Sequence, residues 1–259
     1  MARLVAFLRA SLTAGVAFLY LFVVGTPFVL HAWWTRSIDP LYRAAWWGVW
    51  LALRVAGVRV QVVGGEYFPR QGPCLYMSNH VSNVDPLVLF TVLPPRIAVM
   101  AKKQVFGIPV LGWALSLADF VAVEREDPEA ARASVEEALA KLQRGVSFLV
   151  YPEGSRSRDG CLQRFKHGVF VLAIRAGVPI VPLAVVGADA VMRKGRWEIY
   201  PGVVQVTVHP PVETRTRSLE ERHQLAQEVR GIIASALPEA WRGAEPSPVP
   251  EAETMDDRL

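Results

Sequence analysis

The N-terminal region contains a stretch that constrains this chain more than any other feature. Between Arg9 and Arg36 there is no Asp, Glu, Lys or Arg, and residues 12–30 are apolar apart from a few small or hydroxyl side chains. A helix that crosses a bilayer needs about 20 apolar residues, so the stretch is long enough for one. The sequence Gly25-Thr26-Pro27 interrupts it, and proline can kink or break a helix. The pattern is compatible with both a spanning helix and a re-entrant segment.

Tryptophan is concentrated directly after this stretch, as is typical of a bilayer interface. Five of the eight tryptophans lie between residues 33 and 50, close to Arg36, Arg43 and Arg54. Three of them would share one helical face, which could instead pack on a protein core. We predict a membrane-associated helical segment over residues 1–56, and we favour a hairpin of two helices in one leaflet, broken at Pro27. No cleavage site of a signal peptide follows the stretch.

Charge is distributed unevenly along the chain. Residues 243–259 hold five of the 24 acids and one of the 28 bases, so residues 1–242 carry 27 bases and 19 acids, a net charge of +8. A basic body suits anionic lipids and phosphorylated substrates better than nucleic acid here, because the basic residues alternate with apolar strands. The Pro- and acid-rich residues 243–259 are predicted to be a disordered tail.

Cysteine usage limits the chemistry. Cys74 and Cys161 are 87 residues apart, and no CxxC pair occurs. This argues against a disulfide framework and against a zinc site, and it fits a reducing, cytosol-facing domain. We expect no metal and no cofactor.

From about residue 57 short apolar runs alternate with amphipathic stretches, which predicts an α/β domain over residues 57–242. Helices are expected from Pro128 to Gly145, with Asp127 as N-cap, and from Ser218 to Leu237, where Ser218 and Glu221 have capping-box spacing. The predicted strands are Val58–Val63, Cys74–Ser78, Ile97–Met100, Phe120–Val123, Val146–Tyr151, Ile180–Val186 and Val203–His209. The unusual polar residues follow strand ends, where open α/β sheets carry their chemistry.

His80 and Asp85 are five positions apart in the sequence Asn79-His80-Val81-Ser82-Asn83-Val84-Asp85. On one helix they would lie about 140° apart, so they meet only if the chain turns between them. In one interpretation Asp85 orients the imidazole and His80 removes a proton from an attacking hydroxyl. In the other, Asp85 merely caps a helix that begins near Pro86, or forms a capping box with Ser82.

The segment Tyr151-Pro152-Glu153-Gly154-Ser155-Arg156-Ser157 has the composition of an anion-binding loop. Glycine permits close backbone approach, hydroxyls donate, and the guanidinium of Arg156 matches a phosphate. Such a segment can equally be an ordinary turn. Lys102, Lys103 and Arg125 also follow predicted strands, and each can equally be a solvated charge.

Four blocks together resemble the lysophosphatidic acid acyltransferases of the glycerolipid acyltransferase superfamily. They are NHVSNVD at 79–85 (an HX4D motif), FVAVER at 120–125, YPEGSRS at 151–157 and VPIVPLAV at 178–185, and the resemblance covers about residues 57–210. It implies a largely parallel mixed sheet flanked by helices. It also implies a lipid acyltransferase at the cytoplasmic face of the cell inner membrane, acting in phospholipid biosynthesis.

The implied reaction moves a fatty acyl group from acyl-CoA or acyl-carrier-protein to lysophosphatidic acid (1-acylglycerol-3-phosphate), giving phosphatidic acid. By the same resemblance His80 and Asp85 are catalytic. The residues implied to bind substrate are Lys102, Lys103, Arg125, Glu153, Gly154, Ser155 and Arg156. Tyr151, Ser155 and Glu124 replace the more usual Phe, Thr and Asp, which leaves other lysolipids open as acceptors.

Two other classes of function compete with this one. A His-dependent lipid hydrolase would need a nucleophile, and no G-x-S-x-G sequence is present; Ser82, Ser155 and Ser157 are the candidates. A membrane-interaction module that has lost its chemistry would not need the His80–Asp85 pair.

Overall fold

The computed structural model describes residues 1–124 and 128–243, which include one seven-stranded sheet. The strand order is β1-β7-β6-β2-β5-β3-β4, and all neighbouring pairs are parallel except the antiparallel pair β6 and β7. The strands are β1 (Val58–Val63), β2 (Leu75–Ser78), β3 (Ile97–Lys102), β4 (Val121–Val123), β5 (Ser147–Val150), β6 (Ile180–Val186) and β7 (Gly202–Val208). All seven predicted strands are confirmed, with ends that differ by at most two residues.

Helices cover both faces of the sheet, which confirms the predicted α/β class. Helices α6, α7 and α9 pack on one face, and α3, α4 and α8 pack on the other. The helices are α1 (Ala2–Tyr20), α2 (Thr26–Thr35), α3 (Asp39–Val55), α4 (Asp85–Val92), α5 (Leu111–Leu117), α6 (Pro128–Gln143), α7 (Gly168–Ala176), α8 (Ala188–Val191) and α9 (Arg222–Ser235). Short 3₁₀ turns occur at Gly65–Tyr67, Lys103–Gly107, Leu219–Glu221 and Glu239–Trp241.

Both predicted amphipathic helices are present. The capping box forms before α9, where the Glu221 carboxylate accepts a hydrogen bond of 2.7 Å from the Ser218 backbone N–H. The predicted cap Asp127 lies outside the described residues, as do Arg125 and all of the predicted acidic tail except Gly243.

The parallel pairing brings four strand ends to one edge of the sheet. Met77 of β2 pairs with Val150 of β5, and Lys102 of β3 pairs with Val123 of β4. β3 also pairs with β5 in parallel. The segments that begin at Asn79, Lys103, Glu124 and Tyr151 therefore all leave the sheet at the same carboxyl edge.

The prediction that Pro27 breaks the apolar segment is wrong. The backbone stays helical from Ala2 to Thr35 and passes through a π-helical turn at Leu21–Gly25. The wider turn rearranges the hydrogen bonds next to Pro27, which has no N–H to donate, so the helix continues. It ends at Arg36, which takes a left-handed conformation with φ 59°.

The helix Ala2–Thr35, here called the long helix, is long and apolar enough to cross a membrane by length and composition. It also contacts the rest of the protein along its course. Near its N-terminus the Ala6 carbonyl accepts a hydrogen bond from the Ile199 N–H at 3.2 Å. In its middle the Tyr20 hydroxyl donates to the Ala44 carbonyl of α3 at 2.9 Å. Near its C-terminus Val29 and Ala32 pack with Leu41 and Val110.

The tryptophans of α3 divide between the protein core and the surface. The Trp46 indole is partly buried and donates to the Thr91 carbonyl at the end of α4, at 3.1 Å. Trp47 and Trp50 remain exposed, as do Trp33 and Trp34 at the end of the long helix. Core packing therefore accounts for Trp46, while the other four keep the exposure expected of interfacial residues.

Candidate active site

The chain leaves β2 through Asn79, whose side chain is fixed to β6. Its amide Nδ2 donates to the Val185 carbonyl at 2.9 Å, and its Oδ1 accepts from the Val185 N–H at 2.7 Å. This pair of bonds continues the sheet by one side chain. It fixes the backbone directly before His80.

The turn predicted between His80 and Asp85 is present. His80 Nδ1 lies 2.8 Å from Asp85 Oδ2, and the same oxygen accepts from the backbone N–H groups of Val81 and Ser82, each at 2.8 Å. Asp85 is fully buried, whereas 16% of the His80 side chain is exposed. Because a carboxylate oxygen accepts, the neutral imidazole carries its hydrogen on Nδ1 and has a lone pair on Nε2.

The capping interpretation of this turn is not confirmed. Asp85 is the first residue of α4, the N-cap is Val84, and no side chain caps the helix. The bond from the Ser82 N–H to Asp85 Oδ2 instead closes the turn that precedes α4. The Ser82 hydroxyl accepts from the Val84 N–H at 3.2 Å and donates to the Met192 carbonyl at 2.7 Å. One carboxylate oxygen therefore accepts hydrogen bonds both from the backbone of the turn and from the imidazole.

The Tyr151 ring lies against the imidazole. The ring centroids of His80 and Tyr151 are 4.0 Å apart, with an interplanar angle of 19°. Burial and the nearby Asp85 carboxylate raise the pKa of the Tyr151 hydroxyl far above its usual value, so the phenol stays neutral. Stacking leaves His80 little freedom to rotate away from Asp85.

Glu153 contacts the backbone of the turn that carries His80 and Asp85. Its Oε1 accepts from the His80 N–H at 2.7 Å and its Oε2 from the Gln163 N–H at 3.1 Å. Its side chain is buried, and desolvation raises the pKa of this carboxyl to about 7. The Ser157 N–H bonds the His80 carbonyl at 2.7 Å. Glu153 was predicted to bind substrate, but these contacts are those of a residue that positions His80.

The remaining residues of the 151–157 loop lie closer to solvent. Gly154 has φ +71°, and a Cβ there would come within 2.9 Å of Lys166 Cε, so the position suits glycine. Ser155 is exposed and Arg156 is half-buried. The loop thus offers one hydroxyl and one guanidinium beside the backbone that holds His80.

Lys194 belongs to this neighbourhood and was missed by the sequence analysis. Its ammonium donates to the Arg156 carbonyl. Burial and the positive charges of Arg158 and Arg156 lower the pKa of Lys194. No local pattern marks Lys194, because only the fold brings the segment after α8 against the 151–157 loop.

The two predicted lysines lie at the same sheet edge. Lys102 ends β3 and is exposed, and Lys103 forms an ion pair with Glu124 at 2.6 Å. Within residues 1–124 and 128–243 there is no group of three or more His, Cys, Asp or Glu side chains that could hold a metal ion.

Comparison with known proteins identifies the fold and the family. The family model described as Acyltransferase matches residues 59–186. The 1-acyl-sn-glycerol-3-phosphate acyltransferase of Pseudomonas aeruginosa is 32% identical over 209 residues, which are 77% of this chain and 79% of that protein. The chain belongs to the 1-acyl-sn-glycerol-3-phosphate acyltransferase family.

Further relatives agree with this assignment. The alpha form of the acyltransferase from Mus musculus is 36% identical over 67% of this chain and 62% of that protein. The crystal structure of the LPA acyltransferase PlsC from Thermotoga maritima superposes with a TM-score of 0.79 at 26% identity, covering 90% of this chain and 95% of that one. The chain spans only 66% of the length of the relatives from Limnanthes douglasii and Limnanthes alba.

The protein should show a pH-dependent stability that comes from Glu153. Its folded-state pKa of about 7 lies above the ordinary value of 4.5, so the folded state holds a proton that the unfolded state has lost. The stabilisation is full below pH 4.5 and disappears as pH rises through 7, a change of about 3 kcal/mol. Thermal unfolding in detergent, measured from pH 4.5 to 7.5, should show this loss. The isosteric Glu153→Gln variant should lack it, and parallel curves for both proteins would contradict the assignment.

Proposed function

We propose that this protein transfers a fatty acyl group from a thioester donor, acyl-CoA or acyl-carrier-protein, to the free hydroxyl of 1-acylglycerol-3-phosphate. The product is phosphatidic acid, an intermediate of phospholipid biosynthesis. One observation carries the proposal: Asp85 holds His80 with its Nε2 lone pair available, at the sheet edge where Lys102 and the 151–157 loop meet. Family membership agrees with this chemistry.

The chemistry requires only a base that later becomes an acid. His80 Nε2 accepts the proton of the acceptor hydroxyl while its oxygen attacks the thioester carbonyl carbon. When the tetrahedral intermediate collapses, the carbon–sulfur bond breaks and the imidazolium returns the proton to the thiolate. The Asp85 carboxylate stabilises the imidazolium between these two steps.

The acceptor phosphate is proposed to bind at the basic side of the site. Arg156 is half-buried in the 151–157 loop, and a guanidinium pairs with phosphate oxygens through two hydrogen bonds. Lys102 and Lys103 at the end of β3, together with Gly154 and Ser155, complete the proposed binding set. Arg125 is part of the same proposal by family resemblance, although it lies outside the described residues.

A hydrolase mechanism receives no support from two of the three candidate serines, Ser82 and Ser157. The Ser82 hydroxyl donates to the Met192 carbonyl, and the Ser157 hydroxyl donates to Asp159 Oδ1 at 2.8 Å. Both hydroxyl protons are therefore directed to groups other than His80. A thioester donor is already activated and needs no enzyme nucleophile.

The proposed location is the cytoplasmic face of the inner membrane, with the long helix and α3 embedded in one leaflet. The long helix has 34 residues and is about 51 Å long, whereas the apolar core of a bilayer is about 30 Å thick. It contacts the domain at both ends and in the middle, so it lies along the domain. This geometry supports a hairpin whose turn lies at residues 36–38.

Loss of the catalytic base should abolish most of the activity. His80→Ala removes the proton acceptor, and Asp85→Asn keeps an amide oxygen for the N–H groups of Val81 and Ser82 but removes the negative charge that stabilises the imidazolium. Each variant should lower kcat by about 10²–10⁴-fold, the usual contribution of general-base catalysis. The measurement is formation of phosphatidic acid, read by mass, with circular dichroism as the folding control. Near-normal turnover by a folded His80→Ala protein would exclude the mechanism.

Arg156→Lys should raise KM for the acceptor. An ammonium keeps the charge but cannot form the paired hydrogen bonds of a guanidinium, so phosphate binding should weaken by about tenfold. The KM for the acyl donor should stay the same. Arg144→Lys is the matched control, because Arg144 is exposed after α6, near the start of β5. A rise in donor KM alone would assign Arg156 to the donor instead.

The hairpin topology predicts that both ends of the membrane segment, residues 1–56, stay in the cytoplasm. Ala2→Cys and Gln143→Cys, each made in a Cys74→Ala, Cys161→Ser background, place single thiols at exposed positions of the long helix and of α6. In bacterial spheroplasts a membrane-impermeant maleimide should label neither until the cells are lysed. Labelling of Ala2→Cys alone in intact spheroplasts would show that the long helix crosses the membrane.

A further inference from the structure

A cleft of about 410 Å³ lies between the first turn of the long helix and the segment that joins β6 to β7. None of its residues belongs to the proposed catalytic or acceptor-binding set. It is lined by three guanidinium groups, two carboxylates and one phenol, from Arg3, Arg193, Arg196, Asp189, Glu198 and Tyr200, and by Ala190. A cavity of this size accommodates a small polar ligand.

The walls of the cleft are held together by two contacts across the chain. Arg3 Nε pairs with Glu198 Oε1 at 2.6 Å, and the Ile199 N–H bonds the Ala6 carbonyl at 3.2 Å. Asp189 Oδ1 is buried, and it has no hydrogen-bond partner among the described residues. A carboxylate oxygen without a donor is costly, so a ligand that donates a hydrogen bond to Asp189 is favoured in this cleft.

The charges of the residues that line the cleft indicate the charge of a ligand that would fit it. Three guanidiniums against two carboxylates leave one net positive charge, which matches a singly charged phosphodiester. The several phosphate charges of coenzyme A exceed the single net positive charge of the lining, which disfavours the donor nucleotide. Asp189 requires a donor group beside that phosphate. A glycerol hydroxyl or an ethanolamine ammonium has this property, whereas the quaternary choline group does not.

The surroundings of the cleft are those of a bilayer surface. Leu4, Val5 and Phe7 of the long helix are exposed next to Arg3. Trp197 is 52% exposed and Tyr200 is 40% exposed, and both residue types favour the headgroup layer. The cleft thus lies where the exposed apolar surface of the long helix begins.

We propose that this cleft binds the headgroup of a bilayer phospholipid that carries a hydrogen-bond donor next to its phosphodiester, as phosphatidylethanolamine and phosphatidylglycerol do. Arg193 and Arg196 bind the phosphate, and Asp189 accepts from the donor. The site rests on the proposed membrane attachment but is separate from the acceptor site. Bound lipid fixes the N-terminal end of the long helix at headgroup depth.

The test uses the full-length protein in detergent, titrated with dihexanoyl phosphatidylethanolamine, phosphatidylglycerol or phosphatidylcholine and followed by native mass spectrometry. These soluble diacyl lipids have no free hydroxyl at the position that is acylated. We expect the ethanolamine and glycerol lipids to bind about tenfold more tightly than the choline lipid. Asp189→Asn should remove this preference. Arg193→Gln with Arg196→Gln should weaken binding of both preferred lipids by about tenfold or more.

Arg215→Gln is the matched control, since Arg215 is exposed in the turn before α9 and lines no part of the cleft. Equal binding of all three lipids by the unaltered protein, or unchanged binding by the double arginine variant, would overturn the proposal. A raised donor KM in the double variant, measured with a soluble short-chain acceptor, would assign the cleft to the donor. If the protein prefers the ethanolamine and glycerol lipids but transfers no acyl group, the lipid-binding proposal is supported and the proposed function is refuted.

Discussion

The Asp85 carboxylate is completely buried. The arrangement of the site follows from the need to offset the free-energy cost of that burial. Burying an unpaired carboxylate costs several kcal/mol, whereas hydrogen bonds from N–H groups offset that cost. Three such donors converge on Oδ2, from His80, Val81 and Ser82. They can converge only if the backbone between Asn79 and Asp85 keeps one conformation. The His80–Asp85 pair is therefore preorganised by the same bonds that allow the carboxylate to be buried.

A second buried carboxylate supports the first from outside the turn. Glu153 accepts a hydrogen bond from the His80 N–H, and the Ser157 N–H donates to the His80 carbonyl. The 151–157 loop therefore holds both backbone polar groups of His80. Desolvation raises the pKa of Glu153, and the negative charge of Asp85 contributes in the same direction. The two carboxylates thus have different tasks: Asp85 orients the imidazole ring, and Glu153 fixes the backbone that carries it. Their positions after neighbouring strands β2 and β5 make this division possible.

Local patterns were sufficient to predict the strands, the capping box at Ser218 and the turn between His80 and Asp85, because each depends on short-range geometry. They failed where a long-range contact decides the outcome. Glu153 carries the charge pattern of an anion loop, yet its oxygens are bound to the N–H groups of His80 and Gln163. Lys194 reaches Arg156 because β6 and β5 lie on either side of β2 in the sheet. Pro27 is a different, local case: it was expected to break the helix, but the π-helical turn at Leu21–Gly25 lets the helix continue.

The predicted membrane segment, residues 1–56, and the turn that carries His80 and Asp85 are connected by a short path of packed elements. Tyr20 of the long helix bonds the Ala44 carbonyl of α3, and the Trp46 indole of α3 bonds the Thr91 carbonyl near the end of α4. The first residue of α4 is Asp85 itself. Helix α4 therefore joins the long helix and α3 to the carboxylate that holds His80. In the proposed function, lysophosphatidic acid keeps its acyl chain in the bilayer, and the depth of the long helix sets the height of His80 above the acceptor hydroxyl. Under that proposal, membrane binding is part of substrate alignment.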